Sequence, residues 1–132
     1  MNNFDWVSAR GRCSLGEIFE KLKLDVASDV EQAQARRPVR DGMLAHYGFK
    51  CVVSDSGDKI TVFVNGNNIR RSSSFHLTED SIEVLDQSGH VKFSAMPTLN
   101  NKGECRLRIN EEEQELWYIR KLALEDLFFT TY

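Results

Sequence analysis

The sequence predicts an α+β fold. A long N-terminal amphipathic helix packs on a curved antiparallel meander sheet of six to seven strands, and a short C-terminal helix follows. Three observations carry this expectation. Ser14-Leu15-Gly16-Glu17 reads as a capping box in front of an apolar stripe of helical period. From Gly48 onward the chain breaks into short alternating runs separated by turn chemistry. The stripe is also the obvious cover for the one apolar face that those runs create. Partial closure of the sheet into a barrel is left open.

The elements follow in order. A short helical turn is expected around Phe4–Arg10, ended by Gly11. In the long helix, Leu15, Ile18, Phe19, Leu22, Val26, Val30 and Ala33 recur at steps of three and four. Glu17 and Lys21 form a favourable i,i+4 pair. The helix should stop at Arg36-Arg37, before Pro38, and 38–47 reads as a connector.

Strands are then expected at Phe49–Val53, Ile60–Val64, Ile69–Leu77, Ile82–Leu85, Val91–Ala95 and Cys105–Ile109. Asn65-Gly66 is a strong hairpin signal. Gly57, Gly66, Gly89 and Gly103 sit at turns where positive φ is expected. Ser72-Ser73-Ser74 suggests an irregular or edge strand. Leu116–Ile119 reads as a strand running to about Arg120, followed by the terminal helix. The whole is read as one domain, 1–132, with 1–47 as helical segment and connector and 48–132 as sheet and C-terminal element.

Composition bounds the function. The 132 residues are 41% hydrophobic and 28% charged, which is globular rather than disordered. Net charge is −3, from 17 basic and 20 acidic residues, and this argues against nucleic acid as a partner. No stretch has the length of a membrane span, and the N-terminus has neither the basic nor the apolar region of a signal peptide. Cys13, Cys51 and Cys105 are odd in number and lie among apolar neighbours, so buried thiols and a cytoplasmic location are expected. Cys13 precedes a helix N-terminus. It is read as the apolar residue of a hydrophobic staple against Ile18, rather than as a reactive thiol.

Sites for chemistry are sparse. His46, His76 and His90 share no metal-ligand spacing, and no nucleophile elbow or phosphate-binding glycine loop occurs. No cofactor is therefore expected, and the balance leans away from an enzyme. Arg36, Arg37 and Arg40, with Arg10, Arg12, Trp6 and Tyr47, suggest a stacking-and-phosphate surface, against the simpler reading of a helix end and a solvated linker. Glu111, Glu112, Glu113 and Glu115 suit an exposed hairpin turn.

The remaining signal is aromatic. Trp117, Tyr118, Phe128, Phe129 and Tyr132 crowd the C-terminus. The leading expectation is a non-catalytic protein-interaction or dimerisation module with Trp117, Phe128, Phe129 and Tyr132 as anchors, its partner another protein or a second copy. The alternative is a small-molecule binder with a cavity between sheet and helix. There Arg71 and Ser73 share strand parity with Ile69, Phe75 and Leu77, and Arg71 would fix an anionic head group. An enzyme with dispersed catalytic residues ranks below both.

Overall fold

The computed structural model describes residues 3–40, 42–44, 46–66, 68–130 and 132, with the side chains of 40, 43 and 44 left out. Two helices open the chain, α1 (Trp6–Arg12) and α2 (Leu15–Ala35). Two short strands follow, β1 (Val39–Arg40) and β2 (Met43–Leu44). The main sheet holds β3 (Gly48–Val53), β4 (Lys59–Asn65), β5 (Ser72–Leu77) and β6 (Ile82–Leu85). It continues with β7 (Val91–Leu99), β8 (Cys105–Ile109) and β9 (Glu112–Gln114), and α3 (Tyr118–Phe129) ends the chain. β3 to β9 pair in sequence order as an antiparallel meander that does not close.

The helices form where local chemistry starts them. The Ser14 hydroxyl accepts the Glu17 amide, 3.4 Å away, and Asp5 accepts the Ser8 amide at the start of α1. Lys21 pairs with Asp25 at 2.8 Å rather than with Glu17. α1 runs two residues past the expected Arg10 and passes through Gly11 without ending there. The α2 stripe of Ile18, Phe19, Leu22, Val26, Val30 and Ala33 is buried as expected. Of the expected connector, 38–47, residues 41 and 45 lie outside the described residues, and β1 and β2 pair within it.

Register places one apolar face under the helices. Phe49 opposes Val64, Cys51 opposes Val62 and Val53 opposes Ile60. Ile60 opposes Phe75, Phe75 opposes Val84, and Ile82 opposes Ala95. Ala95 opposes Ile109. All of these side chains except Val53 join α2 and the Ile119, Ala123, Leu124 and Leu127 stripe of α3 in one core. Burial of each large side chain contributes about 1.5–3 kcal/mol.

Four expectations need correction. The serine triplet belongs to β5, an interior strand: Ser74 meets Thr61 across the outer face at 3.1 Å, and Ser73 points into the core. Asn65-Gly66 does not make a two-residue turn; the strand resumes only at Ser72, because Ile69 is tucked against the core. Gly66 does not have positive φ, and it is needed because a Cβ there would lie 2.8 Å from Tyr47 Cβ. Leu116–Ile119 is not a strand: the Tyr118 amide donates to the Glu115 carbonyl and the helix begins at Tyr118. Leu116, Ile119, Ala123 and Leu127 keep steps of three and four, and that period wins over four residues of apparent alternation.

The cysteines depart furthest from expectation. Cys13 and Cys105 form a disulfide, with Cα atoms 5.5 Å apart and 92 residues between them in sequence. Cys13 is thus neither a free staple residue nor a reactive thiol, and Cys105 is not a free thiol. Cys51 alone is free. Such a bond belongs to an oxidising setting and weakens the argument for a reducing compartment. The bond ties the start of α2 to β8, while no residue of α1 is buried.

Thiol titration of the unreduced, unfolded chain should count one free thiol. Reduction should lower the unfolding free energy by about 2–4 kcal/mol, because a long loop is released in the unfolded state. A count of three, with stability indifferent to reductant, would show that the bond does not form in solution.

Candidate functional site

α2 and α3 lie side by side on the apolar face of the sheet. On α2, Asp29, Gln32 and Arg36 fall at three- and four-residue steps and flank the buried stripe on the side facing α3. Arg120 of α3 reaches across to both Asp29 carboxylate oxygens, at 2.7 and 2.8 Å. This pins the two helices together at one level. Beside that pair the two helices line an open groove of about 330 Å³. Ala33 and Leu124 form its floor, Phe128 its inner wall, and Trp117 and Phe129 its aromatic borders.

The aromatic residues divide into two sets. Phe129 is 72% exposed and Trp117 is 48% exposed. The Trp117 indole N–H donates to Glu115 at 2.7 Å, and its ring meets Tyr118 edge-on. These contacts hold the ring in place at the groove border. Phe128 faces both ways, lining the groove while meeting Phe49 edge-on at 5.0 Å. Tyr132 is placed elsewhere. Its hydroxyl donates to the Leu127 carbonyl at 2.7 Å and its ring packs on Tyr47. Sequence reading therefore found three groove residues, placed Arg36 only in a basic patch and Ala33 only in the core stripe, and missed Leu124. The i,i+4 spacings of Trp117 with Lys121 and of Leu124 with Phe128 were the available signal.

Charge around the groove is mostly committed. Lys121 pairs with Glu125 at 3.2 Å and Arg120 with Asp29. Arg36 has no ion-pair partner among the described residues. An apolar cleft with one uncommitted guanidinium suits a ligand that is apolar in body and anionic at one edge.

Arg71 and Ser73 sit beneath the C-terminal end of α3. The Arg71 guanidinium donates to Asp126 at 2.6 Å and to the Thr130 hydroxyl at 3.3 Å, with the Tyr132 ring 5.8 Å away. It clamps the end of α3 to the sheet. Its hydrogen bond and charge hold the Asp126 carboxyl below the usual 3.8, while burial pushes the Tyr132 hydroxyl up. Ser73 is 2% exposed, and its hydroxyl has no hydrogen-bond partner among the described residues.

The other candidates do not gather. Among the described residues, no group of three or more His, Cys, Asp or Glu side chains could hold a metal ion. Burial pushes the Cys51 thiol up, away from nucleophilic thiolate. Trp6 and Tyr47 lie beyond opposite ends of the 21-residue α2, roughly 30 Å of helix, and Tyr47 is buried. The basic and aromatic residues considered for stacking on nucleotides therefore do not form one surface. Among the described residues, no helix is long and apolar enough to cross a membrane. No protein-family model, no curated protein and no solved structure matches this chain.

Two predictions follow from the α3 end. Ser73→Ala should raise stability by about 1 kcal/mol in chemical denaturation, since an unpaired buried hydroxyl costs about 1–3 kcal/mol. A loss of stability would show that the hydroxyl is satisfied by bound water. For Asp126, the folded-state pKa is depressed, so its contribution is present above the ordinary 3.8 and is lost as pH falls through the lower folded value. Asp126→Asn should accordingly flatten the acid limb of a stability-versus-pH curve below about pH 4. Identical acid limbs would show that the pair contributes nothing.

Proposed function

We propose that this protein is a non-catalytic binding module, and that its α2–α3 groove takes a protein segment carrying a bulky apolar side chain beside an acidic residue. One observation carries the reading. Phe129 stands open to solvent at one end of the α3 wall of an apolar cleft, and Trp117 lines the same wall at its other end. Aromatic side chains fixed around an apolar floor are the usual anchors of protein interfaces. An inserted Leu or Phe would cover Ala33 and Leu124, and Phe129 would lose its contact with water. The acidic neighbour would meet Arg36, whose charge no carboxylate satisfies among the described residues.

Selection from a displayed random-peptide library tests this. Enriched peptides should share one large apolar residue with Asp or Glu within a few positions. Phe129→Ser should weaken the selected peptides by about 10- to 30-fold, as expected for an interface anchor, with the unfolding midpoint unchanged. Phe128→Ser should lower stability instead, because that ring packs on Phe49. Arg36→Glu should reverse the acidic preference. Selected peptides that bind Phe129→Ser as well as the parent would overturn the proposal. So would a native mass spectrum in which a small adduct, lost on Phe129→Ser, occupies the groove.

A further inference from the structure

The meander leaves two sheet edges, and they differ. The β9 edge has three residues, two of them Glu112 and Glu113. Short length and charge are the usual protection against strand addition. The β3 edge carries Cys51, Val52 and Val53, with Val52 53% and Val53 40% exposed.

Hydrogen-bond parity shows which backbone groups of β3 are open. The Ser54 amide donates to the Lys59 carbonyl at 2.9 Å, so the even-numbered residues of β3 face β4. The odd-numbered residues therefore turn their N–H and C=O outward. Phe49 confirms this, because its amide donates away from the sheet to Gln34 Oε1 at 2.6 Å. That side chain of α2 covers the edge at Phe49. At Cys51 and Val53 the outward amides have no hydrogen-bond partner among the described residues.

α2 lies along this edge on the core side. Gln34 marks the level of Phe49, and a Cβ on Gly57 would sit 3.1 Å from Lys23 Nζ, which places Lys23 at the β3–β4 turn. From Phe49 to Val52 is about 10 Å of strand, or roughly seven residues of helix. Seven residues back from Gln34 is Ala27, which is exposed. Lys23 and Glu31 lie four residues to either side of it and share its side of the helix.

We propose that a second copy of this chain pairs with β3 along this edge, antiparallel, about a two-fold axis at Val52. Cys51 then exchanges both backbone hydrogen bonds with Val53 of the second copy, and Val53 with its Cys51. Val52 faces itself in a non-hydrogen-bonded pair. A two-fold perpendicular to the sheet keeps both α2 helices on the same face, antiparallel and centred on Ala27. Lys23 of each copy, which also pairs with Glu20 of its own chain at 2.9 Å, then stands opposite Glu31 of the other, at both ends of the contact. This complementarity of opposite charges under a two-fold points to a second copy as the occupant.

Sedimentation equilibrium over a concentration series, with oxidative cross-linking, tests this proposal. The parent should show a reversible dimer. In a Cys51→Ser background, Val52→Cys should give a covalent dimer under mild oxidation. Val53→Pro removes only an outward amide, so it should leave the circular dichroism melt cooperative and shift the association midpoint at least tenfold. Glu31→Lys should weaken association, and adding Lys23→Glu should restore it. A parent that stays monomeric at millimolar concentration overturns the proposal. So does a dimer that survives Val53→Pro and fails to cross-link through Val52→Cys. Phe129→Ser should leave this dimer intact, which separates it from binding in the groove.

Discussion

Everything in the architecture depends on covering one apolar sheet face. Seven strands at about 4.8 Å spacing span roughly 29 Å, whereas a helix with its side chains covers about 10 Å. α2 alone cannot shield that width, so α3 must return from β9 to lie beside it. The disulfide secures the far side, where Cys13 meets Cys105 and Leu99 and Leu116 close over the start of α2. The same demand explains why the sheet stays open. A barrel of about this many strands has room inside for side chains only. Closure and helical cover are alternatives here, and the stripes of two helices decide for cover.

The groove follows from that arrangement. α3 has to send Leu124, Leu127 and Phe128 toward the sheet and α2 to complete the core. Successive helix residues differ by about 100° in direction, so Phe129 cannot join Phe128 and must point out. A position dictated by packing alone would carry a polar residue. The small side chain of Ala33 leaves space on the α2 side, and the Asp29–Arg120 bridge holds the spacing without filling it. Such a partly exposed pair adds little net stability. Its effect is to fix the relative position of the two helices.

Much of this fold can be read in the sequence because it is written in local periods. The Ser14 cap, the Leu15–Ala33 stripe and the alternation of Ile60-Thr61-Val62-Phe63-Val64 each specify their element within a few residues. What fails is what depends on distant contact. Cys13 and Cys105 look like unrelated buried thiols, since nothing at either position indicates that α2 begins over β8. Ser72-Ser73-Ser74 looks like an edge because its polarity is visible and its neighbours β4 and β6 are not. Arg71 looks free to hold a ligand until Asp126 is folded onto it. The groove was half legible: its aromatic side stands out in composition, while Ala33 and Arg36 merge into the helix.

α2 also connects the two proposed surfaces. Gln32, Ala33 and Arg36 line the groove on one side of the helix, and Lys23, Ala27 and Gln34 lie along the β3 edge on the other. A partner in the groove and a second copy at the edge therefore approach α2 from opposite sides and do not compete for space. In the proposed dimer the two grooves face away from the two-fold axis. A partner carrying two apolar–acidic segments on a linker that spans them binds its second segment at an effective concentration up to the millimolar range, so weak single sites become strong together. The shallow groove, with Arg36 the one lining cation that has no ion-pair partner among the described residues, points to modest affinity per site. Two-fold presentation is the economical way for such a surface to hold a partner.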